Sequence, residues 1–120
     1  MMDIFCKIVS GEIASNKIYE DGKVIVILDL NPRSNGHSLI IPKKHYDDIY
    51  DVDEDILNHM FKVARDINKL CEKKLHSNGA SFEINYGIAQ EVKHIHLHII
   101  PRYKYEDIAD PKEIYKVLQS

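Results

Sequence analysis

The sequence has no long hydrophobic run, few cysteines and no excess of positive charge. None of its apolar stretches approaches the roughly 20 residues that a membrane-spanning helix needs. Its two cysteines, Cys6 and Cys71, cannot form a disulfide framework, and so low a number is typical of a reducing compartment. The net charge of -3 argues against a protein that binds nucleic acid by neutralising phosphates. We therefore expect a cytoplasmic protein with no membrane or nucleic-acid partner.

The chain also lacks internal repeats and linkers, so we expect a single domain over residues 1–120. The segments with clear patterns are β-branched runs at 24–28 and 39–41, a helical period that begins at Asp53 and ends at Asn78, alternation over 81–86 and 92–100, and short helices after Asp3 and Asp110. Pro101 should end the last of these strands. This order predicts an α+β fold: an antiparallel sheet of about five strands with one long helix and short terminal helices.

Three histidines at alternate positions, His94, His96 and His98, are the most informative feature of the sequence. On a strand, a period of two places all three imidazoles on one face, while the intervening aliphatic residues point to the other. The aliphatic face should pack on the long helix and leave the histidine face for a ligand. A purely structural strand gains little from three adjacent imidazoles, because each needs a polar partner when buried.

Two chemical readings of the three histidines remain open from the residues alone. A zinc ion needs its nitrogen ligands at about 2.0–2.1 Å, whereas the outer histidines of a strand stand about 13 Å apart. The second reading is a neutral histidine that attacks phosphorus, with neighbouring imidazoles as proton carriers. Mutual repulsion among close imidazoles disfavours simultaneous protonation, which keeps at least one of them nucleophilic near pH 7. The second reading fits the spacing better.

The segment from His94 to Ile100 resembles the signature of the histidine triad (HIT) family, in which three histidines alternate with aliphatic residues. The similarity extends over residues 3–103, including Ile4–Ile8, Tyr19–Asp21 and His37–His45. A HIT-like fold is implied. Within the family the chain most resembles the purine nucleoside phosphoramidase (Hint-type) branch. That likeness implies cleavage of P–N or activated P–O bonds at the α-phosphate of AMP or GMP derivatives, through a nucleotidyl-histidine intermediate.

The resemblance also implies a role for each of four histidines. His96 would attack the α-phosphorus, and His98 would bind the phosphate and assist proton transfer to the leaving group. His37 would orient the cluster, and His94 would hold it through its ring and its backbone carbonyl. No cofactor is implied for this chemistry.

Further residues would bind the nucleotide in a protein of this branch. Asp29 would accept the ribose hydroxyls, although it could equally form a turn through its side chain. Asn85 would contact the phosphate region, and Gln90 the phosphate or a leaving-group oxygen. The walls of the base pocket, which could also be plain core residues, would be Ile4, Phe5, Ile8, Ile27 and Leu30.

The sequence departs from the family pattern at two places. Residues 85–92 are shorter than in many relatives, and Glu91 stands where phosphoramidases often have serine; a carboxylate there would repel a nearby phosphate. Some relatives bind structural zinc through Cys-x-x-Cys and two histidines. Here the corresponding residues are Asp3, Cys6, His45 and His94, and with one cysteine replaced we expect no bound metal.

Two alternatives to a phosphoramidase remain: a dinucleoside polyphosphate hydrolase, and a nucleotide-binding scaffold with little turnover. Relatives of this kind are homodimers whose sheets join across the interface, so the resemblance predicts a homodimer. The segment 103–120 matches little in the family pattern and predicts no specificity.

Overall fold

A five-stranded antiparallel sheet lies between one long helix and one short helix on opposite faces, with a third helix beside the long one. The structure is a computed structural model that describes residues 3–120; Met1 and Met2, the first residues of the expected domain, lie outside the described part. The elements in chain order are α1 (Ile4–Ser10), β1 (Lys17–Glu20), β2 (Val24–Leu28), β3 (Ser38–Pro42), α2 (Glu54–Leu75), β4 (Gly79–Glu83), β5 (Leu97–Arg102) and α3 (Pro111–Gln119). The strands lie in the order β1-β2-β3-β5-β4, and all neighbours are antiparallel. The predicted α+β fold is confirmed.

Helix α2 covers one face of the sheet with its apolar side. Its buried residues recur at helical spacing: Met60, Val63, Ala64, Ile67 and Cys71. They share a core with Ile95, Leu97 and Ile99, the aliphatic residues that alternate with the histidines. The prediction that these aliphatic residues pack on the long helix is confirmed. Among residues 3–120, none of the helices combines the length and the hydrophobicity that a membrane span requires.

Helix α1 covers part of the opposite face. The side chain of Asp3 accepts a hydrogen bond from the backbone of Cys6 at 2.7 Å and begins the helix, and Gly11 ends it at φ 87°, a conformation that favours glycine. Phe5 packs on this face against Ile25, Ile27, Leu39 and Ile41. Because α1 has only seven residues, it leaves the rest of the face open.

A row of four side chains crosses this open face from β2 to β4. Residues opposite each other in an antiparallel pair point to the same side of the sheet. Ile27 pairs with Leu39, Leu39 with His98, and His98 with Glu83. The row is therefore apolar on β2 and β3 and polar on β5 and β4.

Strand β5 differs from the prediction at both ends. It begins at Leu97, not at Val92, because the backbone before it bonds outside the sheet: the Ile95 N–H donates to the Tyr46 carbonyl at 2.8 Å. It continues through Pro101 to Arg102. Proline is tolerated there because this end of β5 pairs with β4 only, so one edge needs no N–H donor.

Strand β4 and helix α2 are also shorter than predicted. The alternation of Ile84 and Tyr86 suggested a strand beyond residue 83, but β4 ends at Glu83. Helix α2 ends at Leu75, before the predicted end at Asn78. His76 stops it by taking a left-handed φ of 59°, which a non-glycine residue rarely adopts.

Candidate active site

A cavity of about 700 Å³ opens between α1 and the uncovered face of the sheet. The row of side chains from Ile27 to Glu83 forms part of its wall. Of the residues predicted from the sequence to form the site, the following line it: Ile4, Phe5, Ile8, Ile27, Asp29, Leu30, His37, Asn85, His96 and His98. The volume suits a nucleotide-sized ligand, since small-molecule sites measure roughly 300–1,000 Å³.

His96 has one ring nitrogen fixed by the backbone and the other directed away from that bond. Its Nδ1 lies 2.9 Å from the carbonyl oxygen of His94. A carbonyl only accepts hydrogen bonds, so Nδ1 carries the proton and a neutral His96 has its lone pair on Nε2. Burial lowers the pKa of His96, which keeps the ring neutral at neutral pH. The ring packs edge-on against Phe5 at 4.8 Å between centroids.

A chain of hydrogen bonds assigns the protons of His37 and His98 in the same way. The backbone N–H of Arg33 donates to Nδ1 of His37 at 3.0 Å, so His37 carries its proton on Nε2. That Nε2–H donates to Nδ1 of His98 at 2.9 Å. A neutral His98 therefore carries its proton on Nε2. The cluster presents one lone pair, on His96, and one N–H donor, on His98.

The surroundings of the cluster favour neutral imidazoles. Burial lowers the pKa of His37, while the Asp29 carboxylate opposes this effect. Burial also lowers the pKa of His98 to about 4, and the neighbouring rings of His96 and His37 add to the effect. Mutual repulsion among the imidazoles therefore contributes, as the sequence suggested, but burial is the larger cause.

The sequence suggested that Asp29 either forms a turn or accepts hydrogen bonds from a ligand, and its position allows both roles. Its Oδ1 accepts from the backbone N–H of Asn31 at 2.9 Å, which forms the turn. Its Oδ2 lies 3.5 Å from Nε2 of His37 at the cavity. The turn thus orients the carboxylate and leaves one oxygen for a ligand.

Two of the predicted site residues do not line the cavity. Gln90 donates from Nε2 to the carbonyl oxygens of Asp47 at 2.6 Å and Val92 at 3.0 Å, which ties its amide to the backbone. The ring of His94 is fully buried behind the cavity, and only its carbonyl reaches the cluster, through His96. The three imidazoles share one side of the chain, but only two of them face the ligand space.

Sequence reasoning missed an ion pair in the cavity wall. The guanidinium of Arg33 lies 2.8 Å from the carboxylate of Glu83, which lowers the pKa of Glu83. Fifty positions separate the two residues, and each stands in a segment that looks like an ordinary turn or strand. Only the strand register, which pairs Glu83 with His98, indicates that Glu83 lies at the cavity, and this register cannot be read from the sequence alone.

A second cluster of donors lies behind His94. Donor atoms of Asp3, Cys6, His45 and His94 all lie within 4.8 Å of one another. The carboxylate of Asp3 is 3.0 Å from Nδ1 of His45 and 3.3 Å from Nδ1 of His94. The sulfur of Cys6 lies 3.4 Å and 3.5 Å from the same two nitrogens.

In the second cluster, the N–H groups of the two imidazoles point away from Asp3 and Cys6. Nε2 of His94 donates to the carbonyl of Pro42 at 2.9 Å, and Nε2 of His45 to the Asp47 carboxylate at 2.8 Å. Two Nδ1 lone pairs then face the carboxylate of Asp3, which is repulsive unless a proton or a metal cation lies between them. Metal-binding histidines commonly donate their other N–H to such oxygens. The donor set fits zinc, and the expectation of no bound metal stays a prediction.

Asp29, His37 and His98 also bring three donor atoms within 4.8 Å of one another. Here the facing nitrogens of His37 and His98 already share a hydrogen bond, so we assign these residues to the cluster at the cavity.

Comparison with known proteins agrees with this geometry. The sequence model of the HIT domain matches residues 10–105. The chain belongs to the histidine triad (HIT) family. The similarity noted in the sequence is therefore confirmed at the level of the family.

Individual relatives of this HIT protein span much of its length. An uncharacterized HIT-like protein of Methanocaldococcus jannaschii is 44% identical over 86% of this chain and 81% of its own. The adenylylsulfatase HINT3 of Arabidopsis thaliana is 41% identical over 82% of this chain and 51% of its own. Among solved structures, a Zn-bound histidine triad family protein from Mycobacterium smegmatis has a TM-score of 0.90, with 36% identity, over 97% of this chain and 89% of that one.

The half-buried position of His98 between the rings of His37 and His96 leads to a testable titration. We expect NMR of the imidazole nitrogens to give His98 an apparent pKa of about 4, because burial disfavours the charged ring and protonation would also place a cation beside two other imidazoles. Asp29→Asn should lower this pKa further, since the carboxylate favours the cation. Glu72→Gln, on the exposed side of α2, should leave it unchanged. A His98 pKa near 6.5 in the folded protein contradicts the packing described here.

The same shift has a consequence for stability. The pKa of His98 is lower in the folded protein than in the unfolded chain, so acid favours the unfolded chain. Its contribution to the free energy of unfolding is complete above about pH 6.5 and is lost as the pH falls towards about 4. Denaturant unfolding of wild type and His98→Asn over this pH range measures the free energy of unfolding of each protein. The value for wild type should fall relative to that of His98→Asn as the pH decreases.

The second cluster predicts a zinc-dependent gain in stability. After chelator treatment, one equivalent of zinc should raise the melting temperature by about 5 °C or more, because the ion binds only the folded donor set. Cys6→Ser and His45→Ala should remove most of this rise. His76→Asn, an exposed histidine outside the cluster, should keep it. An unchanged melting temperature, with no zinc in the native mass spectrum, restores the expectation of no metal.

Proposed function

We propose that this HIT protein is a nucleotide hydrolase that cleaves P–N or activated P–O bonds at the α-phosphate of purine nucleoside monophosphate derivatives. One observation carries the proposal: the hydrogen bond from Nδ1 of His96 to the His94 carbonyl leaves a nucleophilic lone pair on Nε2. The ring bearing it lines a cavity of about 700 Å³ together with His98.

In the first step, Nε2 of His96 attacks the α-phosphorus and a P–Nε2 bond forms. The bond from phosphorus to the leaving nitrogen breaks, and its electron pair stays on that nitrogen. Nε2–H of His98 donates a hydrogen bond to the phosphate and stays on the neutral ring, while the leaving nitrogen takes up one proton from solvent and departs as an amine. The nucleotide is then attached to His96, whose developing positive charge is stabilised by the His94 carbonyl at 2.9 Å.

In the second step, water replaces the enzyme on phosphorus. As the water oxygen bonds to phosphorus, one proton of the water passes to solvent, which returns the proton taken up in the first step. The P–Nε2 bond breaks, the nucleoside monophosphate leaves, and His96 recovers its lone pair on Nε2. The Nε2–H of His37 holds Nδ1 of His98 throughout, which keeps the Nε2–H of His98 directed at the cavity.

The polarity of the cavity indicates how the nucleotide lies. Its apolar walls beside Phe5 and Ile27 suit a flat purine, and Asp29 beyond them offers one oxygen to the ribose hydroxyls. The α-phosphate then reaches His96 and His98, with Asn85 alongside. We assign Ile4, Ile8 and Leu30 to the base pocket on the same ground.

A zinc ion in the second cluster would act on structure rather than on the reacting bonds. Asp3, Cys6, His45 and His94 would hold it, behind the cavity. Fixing the ring of His94 also fixes the carbonyl that orients His96.

Replacement of His96 tests the mechanism. His96→Ala should lower the turnover of adenosine or guanosine 5′-phosphoramidate by at least about 10³-fold, because the nucleophile is gone. A slow nucleotide analogue should label the wild-type protein at His96 alone, as read by mass spectrometry of its peptides. His76→Asn should turn over substrate like wild type, since that exposed ring is outside the cavity.

Other results would select another function. Undiminished turnover by His96→Ala, or a label on another residue, rejects the mechanism. Faster hydrolysis of diadenosine polyphosphates than of phosphoramidates favours the dinucleoside polyphosphate hydrolase. Tight binding of AMP or GMP by calorimetry without turnover identifies a nucleotide-binding scaffold.

We also propose that two copies of the chain pair through β4. This strand ends the sheet, so its outer edge presents N–H and C=O groups without a partner among the described strands. Phe82 on this edge strand is 40% exposed, so an apolar ring lies on the strand that carries the unpaired backbone groups. Pairing of β4 with β4 of a second copy would satisfy these backbone groups and bury the ring of Phe82.

The mass of the protein in solution tests the dimer. Wild type should sediment at twice the chain mass of 13.9 kDa. Phe82→Asp should give single chains, because it places a charge at the paired edge. Val117→Asp on α3, also 40% exposed, should remain a dimer. Single wild-type chains at micromolar concentration contradict the proposal.

A further inference from the structure

We propose that Glu91 selects leaving groups by charge: this HIT protein favours amines that carry an additional positive charge and disfavours anionic leaving groups. The inference rests on the proposed function, because it assumes that a leaving group departs from the α-phosphate at His96. It names the substrate class and a specificity-determining residue, which the family signature leaves open.

The cavity has two chemically different ends. Its apolar end lies under α1, where Phe5 packs on Ile27 and Leu39. The row of side chains then continues across the sheet to His98 and Glu83, both polar. A nucleotide that seats its base in the apolar end and its phosphate at the histidines places its leaving group at the opposite end.

The loop before the histidines presents a carboxylate to the cavity. Residues Gly87–Ala89 form one 3-10 turn, and Gln90 follows with its amide bonded to the carbonyls of Asp47 and Val92. The amide that could contact a leaving-group oxygen is therefore turned away. Glu91 lines the cavity instead, close enough to His96 to favour its protonated form.

Glu83 and Glu91, the two glutamates that line this end of the cavity, differ in their partners. Glu83, the other acid at this end, pairs with Arg33 at 2.8 Å. Within residues 3–120, Glu91 takes part in no ion pair, and its side chain holds no hydrogen bond of the loop. A cationic group on the substrate would supply the missing partner, whereas an anionic one would meet an unpaired carboxylate.

The reaction itself is unchanged by this selection. The P–N bond breaks, its electron pair leaves with the amine, and the amine takes its proton from solvent as before. Only the remote charge of the amine interacts with Glu91, so the effect should appear in kcat/KM and should weaken with salt.

A matched series of substrates tests the inference. Adenosine 5′-phosphoramidates of 1,4-diaminobutane, 4-aminobutanol and 4-aminobutanoate share one carbon chain and end in an ammonium, a hydroxyl or a carboxylate. For wild type we expect kcat/KM to fall in that order, with about ten- to a hundredfold between the ends of the series. Glu91→Gln should reduce this span to about threefold or less. It should also raise the hydrolysis of adenylyl sulfate, whose leaving group is an anion.

The control variant is Glu72→Gln, which removes one carboxylate from the exposed side of α2. It should keep the full span, because α2 lies on the other face of the sheet from the cavity. If wild type hydrolyses all three substrates equally, or if Glu91→Gln leaves the span intact, Glu91 does not select charge and the hydrolase stands. If wild type hydrolyses none of them, the proposed function fails and the inference fails with it.

Discussion

The hydrogen bond from Nδ1 of His96 to the backbone carbonyl of His94 is the interaction on which the rest of the site depends. It decides which ring nitrogen holds the proton, and so which one can attack an electrophile. The backbone N–H of Arg33 does the reverse for His37, and the effect passes to His98 through one hydrogen bond. Two backbone groups thus give chemically identical side chains different free groups: a lone pair on His96 and an N–H donor on His98.

The sheet holds the histidines in place because its two faces pack against different helices. The aliphatic residues between the histidines are buried against α2, so this segment cannot turn its histidine side away from the cavity without disrupting the core. On the other face, α1 contributes Phe5 to the cavity and Cys6 to the cluster around His94. The helix that lines the ligand space is therefore tied to the residue whose carbonyl orients His96.

The two ends of the cavity are built from different kinds of structure. The apolar end is formed by sheet and helix, whereas the polar end is completed by the loop before His94. In this loop the amide of Gln90 is tied to the backbone, and Glu91 lines the cavity. Under the proposed function, the loop acts on what leaves from phosphorus, and the histidines act on how it leaves.

Local periodicity was enough to establish the α+β fold, the amphipathic α2 and the common side of the three imidazoles, because spacing along one segment decides which residues share a face. Motif similarity was enough for the family and for most of the cavity wall. Tertiary structure decided the rest: the burial of the His94 ring, the turning away of Gln90, the pairing of Arg33 with Glu83 and the convergence of four donors around Cys6. Each depends on contacts between residues far apart in the chain or on how a loop closes, and neither is encoded in spacing alone.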